Sequence, residues 1–292
     1  MGAYRVSESV QGTFCRQRPH DLREHTQRYS DLGYKDTETD DWYVHRAGVF
    51  SWVESSGYGI KNLNVNATKL EAMYVGGIVY GLRSGTIENC HITGNIGERH
   101  YDGSALASET YNSDGIVGYM SDGIIRNCTV NGTVTACGVA GGIVAEMTGG
   151  SIESCEVMDN SDVLAGRRED ADRYIAYAEG IVGSANIALT ESITNCKFNG
   201  TVQATVRDWS NNVGKYTPNV YCGGIVGFLT GGTLQSNHVL SEAIIFSDYT
   251  AGGIAGFPSE LGCERVGAAI SITTSSPVPN ATTRLSLRES LA

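Results

Sequence analysis

The sequence predicts an all-β chain: a parallel β-solenoid, or β-helix, of about six to seven rungs, with an irregular N-terminal cap and a C-terminal tail. Three observations carry this expectation. A phrase of the form Gly-Gly-Ile-Val … Ile-x-Asn-Cys-x-Val recurs along the chain. Its spacing is shorter than a propeller blade, which needs about 40 residues or more, and suits one coil with two or three short strands. Glycine is abundant at 37 residues and proline scarce at 5, a balance that favours many tight turns over a disordered linker.

The phrase is clearest at 76–92 (GGIVYGLRSGTIENCHI). It returns at 114–130 (DGIVGYMSDGIIRNCTV), 141–157 (GGIVAEMTGGSIESCEV), 179–198 (EGIVGSANIALTESITNCKF) and 223–239 (GGIVGFLTGGTLQSNHV). A weaker copy opens the series at 48–65 (GVFSWVESSGYGIKNLNV). The cysteine serves as a ruler: Leu63, Cys90, Cys128, Cys155, Cys196 and Asn237 take its place, in steps of 27, 38, 27, 41 and 41 residues. The unit is therefore the 27-residue step, with extra loop residues in some turns.

Each part of the phrase has a physical reading. The apolar positions Ile78, Val79, Ile87, Cys90 and Ile92 are spaced for short strands between glycine turns. Three residues separate Ile87 from Cys90, which breaks strict alternation, and Asn89 stands at the break. Asn tolerates the left-handed region better than most residues. Asn62, Asn127 and Asn195 occupy the same place, with Ser154 and Ser236 as variants. A bend with Asn side chains bonded from rung to rung is expected there; the alternative is an ordinary turn residue. The paired glycines fit a corner where backbones of adjacent rungs come close. Stacking at about 4.8 Å would let each coil complete the buried face of its neighbour.

The Gly-Gly-Ile-Val of 76–79 and 223–226, with the Ile-x-Asn-Cys-x-Val runs above, resembles the GLUG-motif repeat family over roughly 48–257. Members of that family look like pieces of large bacterial surface proteins, among them adhesin-like proteins and immunoglobulin-A-specific metallopeptidases. In the peptidases the repeats are accessory and the zinc site lies elsewhere. The resemblance thus implies a bacterial exported scaffold and carries no catalytic residue onto this chain.

Four of the eight cysteines are the ruler, one per rung, where small apolar side chains would face inward. Three states stay open for them: buried free thiols, a disulfide between adjacent rungs, or a metal. Cys-x-x-Cys and zinc-finger spacings are absent from the sequence. Cys137 and Cys222 precede glycine corners and read as packing residues. His91 and His238 share the position after the ruler with Thr129, Glu156 and Lys197, which marks a tolerant, solvent-facing place. The chain lacks His-Glu-x-x-His, Gly-x-Ser-x-Gly and a phosphate-binding glycine loop. Adjacent-rung carboxylates of the kind carbohydrate-active β-helix enzymes use are not evident on the repeat strands. No cofactor or metal site is implied.

Extra residues gather after the ruler strand and before the next glycine corner, at about 95–113, 159–178 and 204–221. Insertions at one repeat position project from one face, and repeat proteins often bind there. The candidate ligand- or partner-binding residues are Tyr101, Asp102, Arg167, Arg168, Tyr174, Asp208, Trp209 and Tyr216. Aromatics beside Asp and Arg suit sugar stacking or protein docking; otherwise they cover one another and cap strand ends. A shorter excursion, Ser184–Ser192, belongs to a different corner.

Residues 1–46 form a polar segment or cap, with a short helix expected in 20–30; repeats fill 47–270, and 271–292 is a tail or linker. A net charge of −11 excludes an ordinary nucleic-acid binder, which needs a basic surface. No apolar run reaches transmembrane length, so membrane insertion of this segment is not expected. The first residues lack the apolar core of a signal peptide, so the chain is either cytoplasmic or a fragment of a longer exported protein; the family resemblance favours a fragment of an extracellular or cell-surface protein. The expected function is a non-catalytic repeat scaffold that meets host or bacterial surface glycan or protein through loops on one face. The alternatives are a substrate-holding accessory region of a secreted metallopeptidase and, third, a carbohydrate-active β-helix enzyme.

Overall fold

The computed structural model describes residues 11–14, 33–35, 42–44, 46–55, 57, 59–70, 72, 74–97, 112–167, 175–188, 190–206, 219–247 and 250–259. These residues are all-β, with no helix among them. The expected N-terminal helix in 20–30 and the tail after 270 lie outside the described residues.

Consecutive copies of the phrase contribute equivalent strands that pair in parallel. Sheet 1 has seven strands: Arg46–Ala47, Tyr74–Gly76, Asn112–Asp114, Val139–Gly141, Ile175–Glu179, Asn219–Gly223 and Thr250–Gly252. Sheet 2 also has seven: Phe50–Val53, Val79–Leu82, Val117–Met120, Val144–Met147, Val182–Asn186, Val226–Thr230 and Ala255–Ser259. A third, fifteen-stranded sheet takes the Ile-x-Asn-Cys-x-Val segments and the strands that follow them. Its long strand Gly59–Leu70 pairs with Thr86–Glu88 through its first residues and with His91–Ile96 through the rest. The arrangement is consistent with a parallel β-helix. Gln11–Phe14 adds an antiparallel strand on Gly59–Leu70, which covers part of an edge that would otherwise offer open backbone groups.

The register stacks like on like. Val65, Ile92, Val130, Val157, Phe198 and Val239 are paired in sequence from copy to copy, and all are buried. Each such side chain contributes about 1.5–3 kcal/mol by leaving water. The ruler forms a second buried column of Leu63, Cys90, Cys128, Cys155, Cys196 and Asn237. Each ruler thiol donates to the carbonyl two residues before it, at 3.3–3.5 Å. Burial pushes the Cys155 thiol up, and its neighbours Cys128 and Cys196 push the same way. All six described cysteines are buried and outside any disulfide, including Cys137 and Cys222. Asn237 ends the column in another way: its amide accepts from Cys196 N–H at 2.9 Å and donates to Ile193 O at 2.7 Å.

The bend lies where the sequence put it. Asn62, Asn89, Asn127, Ser154, Asn195 and Ser236 all have positive φ, between 52° and 55°. Asn89 Nδ2 donates to Asn62 Oδ1 at 3.2 Å, a bond from one copy to the next. His91 and His238 are exposed, as a tolerant position requires. Because L-residues other than Gly and Asn pay about 1–2 kcal/mol in this conformation, Asn127→Ala is expected to lower stability by about 1 kcal/mol and Asn127→Gly by less. Urea unfolding midpoints of the two variants check this; an alanine no worse than glycine would remove the backbone explanation.

The second glycine of the phrase has a separate task. A Cβ on Gly77, Gly115, Gly142, Gly180 or Gly224 would run into the carbonyl oxygen of the equivalent glycine one copy on. The backbones touch at this corner, and a side chain has no room.

Candidate functional site

The three long insertions depart from one place in the repeat. Each leaves a strand of the third sheet and returns at the head of a sheet 1 strand: Ile96 to Asn112, Arg167 to Ile175 and Val206 to Asn219. The equivalent passages elsewhere are short, as from Leu70 to Tyr74 and from Ala136 to Val139. Of the candidate binding residues, Arg167 ends the strand Asp162–Arg167, and its side chain is not described. Tyr101, Asp102, Arg168, Tyr174, Asp208, Trp209 and Tyr216 lie outside the described residues.

Beside those roots runs a seam between sheets 1 and 2. A sheet 1 strand packs against the sheet 2 strand of the following copy, as Ile175–Glu179 does against Val226–Thr230. Strand alternation explains what reaches the seam. Ala176 and Ala178 point into the core, so Tyr177 and Glu179 share the opposite face. Tyr221 is the register partner of Tyr177 and stacks on it, with ring centroids 5.3 Å apart and planes 26° apart. Phe228, from sheet 2, closes the group at 5.9 Å from Tyr177 and 6.0 Å from Tyr221. All three rings are half-buried. Burial pushes the Tyr177 phenol up to about 12, with Tyr221 and Glu179 adding to the rise.

The other end of the seam is built from cations on rings. The Arg46 guanidinium sits 5.2 Å from the Tyr80 ring centre, and that of Arg83 sits 4.3 Å from Trp52, both within the range for cation–π attraction. Trp52 meets Tyr80 edge to face at 5.0 Å. Glu54 holds Arg83 at 3.1 Å, an exposed pair of small energetic weight. Burial raises the Tyr80 phenol, against the opposing pull of Arg46.

The floor of the seam holds carboxylates. The first position of the phrase reads Gly76, Asp114, Gly141, Glu179, Gly223 and Gly252, all in register. Asp114 and Glu179 are fully buried. Asp114 Oδ1 accepts from Gly141 N–H at 3.2 Å, while its Oδ2 and both oxygens of Glu179 have no hydrogen-bond partner among the described residues. Glu179 lies across Gly227, where a Cβ would run into the carboxylate, and its Oε2 would stand 3.1 Å from a Cβ on Gly183. Glu146, on the exposed face of sheet 2, is the third acid, and the partial desolvation of its carboxyl raises it. Burial also drives Asp114 and Glu179 well above the ordinary carboxylate range.

The repeat strands thus carry a buried carboxylate pair at one glycine position, with one copy between its two members. Periodicity hid it, because Asp and Glu at a glycine position look like neutral variation until the register shows them on one seam. Asp114 and Glu179 are closed off from solvent, so neither is placed to meet a substrate. Among the described residues no group of three or more His, Cys, Asp or Glu could hold a metal ion. The aromatic group was likewise missed; its signal was the run of large rings at equivalent positions, Tyr74, Tyr177 and Tyr221. Comparison with known proteins gives no match to this chain, whether among family models, curated proteins or solved structures.

Proposed function

We propose that this chain is a non-catalytic β-solenoid of six to seven rungs, a GLUG-like repeat segment of an exported or cell-surface bacterial protein. Its role is to present ligand-contacting side chains along one side, toward glycan or protein on a host or bacterial surface. The observation that carries the reading is the half-buried stack of Tyr177, Tyr221 and Phe228 beside the roots of two long insertions. Large rings held rigid on strands offer contact area at little entropic cost, and aromatics dominate binding surfaces for that reason. The parallel pairing of equivalent strands and the recurring phrase support the scaffold part of the proposal.

The purified chain on an array of mammalian and bacterial glycans tests it. Wild-type protein is expected to retain a defined subset of glycans. A triple change of Tyr177, Tyr221 and Phe228 to alanine is expected to weaken retention about tenfold or more, on the scale of lost hot-spot contacts. A second triple, Tyr101, Tyr174 and Trp209 to alanine, reports on the insertions. Retention unchanged in both, with circular dichroism unchanged, would remove ligand presentation by these aromatics.

A further inference from the structure

The departure from the repeat that most needs a reason is the pair of carboxylates in a glycine column. Glycine suffices at this place in four of the six copies, so neither acid is needed for the corner itself. An ionised carboxylate buried without partners is among the costliest arrangements in a protein, and the usual escape is to stay protonated. Among the described residues Glu179 has no hydrogen-bond donor, and Asp114 has one backbone N–H.

The surroundings offer little relief. Glu179 shares its strand with Tyr177, and the neighbouring strand Asn219–Gly223 brings Tyr221 and Cys222. Cys222 is itself pushed up by burial and by Glu179. Strands Val139–Gly141, Val182–Asn186, Val226–Thr230 and Thr201–Val206 contain no ionisable residue, and Asp162–Arg167 contributes Asp162 and Arg167. Asp114 faces Glu146 from Val144–Met147; Tyr74 and Tyr119 come from the strands on either side, and Thr129–Ala136 has no ionisable residue. Acids, phenols and a thiol thus dominate around the two carboxylates.

We propose that Asp114 and Glu179 are a proton-held latch: uncharged, they let sheet 2 close on sheet 1 and seat the aromatic wall; ionised, they leave the seam for water and loosen it. Glu179 is the pivotal member, because its carboxylate lies against Gly227 and Gly183 of two sheet 2 strands. The latch would make the presenting surface pH-dependent. That link rests on the ligand-presenting reading, whereas the latch itself does not.

The sign follows from linkage. In the unfolded chain these groups ionise near pH 4. The folded chain holds their protons to higher pH, so folding takes up protons and stability falls as pH rises above about 4 toward the folded-state values. Loss of the latch should therefore help the protein most at the alkaline end.

The test is thermal melting from pH 5 to 8, with amide hydrogen exchange read on strands Ile175–Glu179 and Val226–Thr230. Wild type is expected to lose about 5 °C across that range, a shift of ordinary size for one or two groups in a chain of this length. After correction for the intrinsic pH effect, the two strands are expected to exchange at least tenfold faster at pH 8 than at pH 5. The pair Asp114→Asn and Glu179→Gln should flatten both trends. Where buried amides disturb folding, Asp114→Gly with Glu179→Gly restores the residue that neighbouring copies carry and should give the same flattening. Wild-type protection that does not change with pH in these strands, or a glycine double variant as pH-sensitive as wild type, would overturn the latch. No ligand enters the measurement, so its outcome and that of the glycan array are independent.

Discussion

Gly142→Ala is expected to be one of the most damaging single changes in this chain. Its new methyl would run into the carbonyl oxygen of Gly180 and press on Val157. Neither can yield easily: the first is backbone fixed by the hydrogen bond Gly180 N–H to Gly223 O at 3.0 Å, and the second is buried core. Overpacking of this kind costs about 3 kcal/mol at the upper end of the usual range, with larger values when backbone must move. A urea unfolding curve reads the effect as a lowered midpoint. A midpoint within error of wild type would mean that the corner is looser than the backbone contact implies.

The second large effect is expected at Phe198. It is fully buried, in register with Val157 on one side and Val239 on the other, and its ring covers Gly180. It is the bulkiest member of its column, so the neighbouring valines cannot fill the space that it leaves. Phe198→Ala is expected to cost about 3–5 kcal/mol through lost burial and a residual cavity. Phe198→Leu, which keeps most of the volume, should cost much less, about 1.5 kcal/mol or under. Equal losses for the two variants would show that cavity volume is not what matters here.

Most of the scaffold could be read from the residues because each scaffold position repeats. Asn89, Asn127 and Asn195 announced a bend by recurring at a break in alternation, and positive φ at each is what such a break requires. Cys90, Cys128, Cys155 and Cys196 announced an interior by sharing a place with Leu63. The seam could not be read in the same way. Each sheet 1 strand meets the sheet 2 strand of its own copy and that of the next copy, and nothing in a single phrase specifies the second contact. Glu179 and Gly227 stand 48 positions apart in sequence yet lie in contact. Tyr177 and Phe228 belong to different phrases for the same reason. The candidate residues in the insertions had no repeat to lean on, and composition alone placed them.

The glycine-to-carbonyl contacts along the corner also bear on how the chain would carry a load. Each corner glycine meets the backbone of its counterpart in the adjacent copy, and among the described residues each strand of sheets 1 and 2 is bonded to its counterparts on either side. Tension applied at the ends would therefore act first on the outermost copy, and peeling it away would leave the next interface intact. A copy of 27 residues releases about 90 Å of extended chain when it detaches, at roughly 3.4 Å per residue. An assembly of this kind yields in instalments and reseats the same way, a property suited to a tether that must stretch without parting.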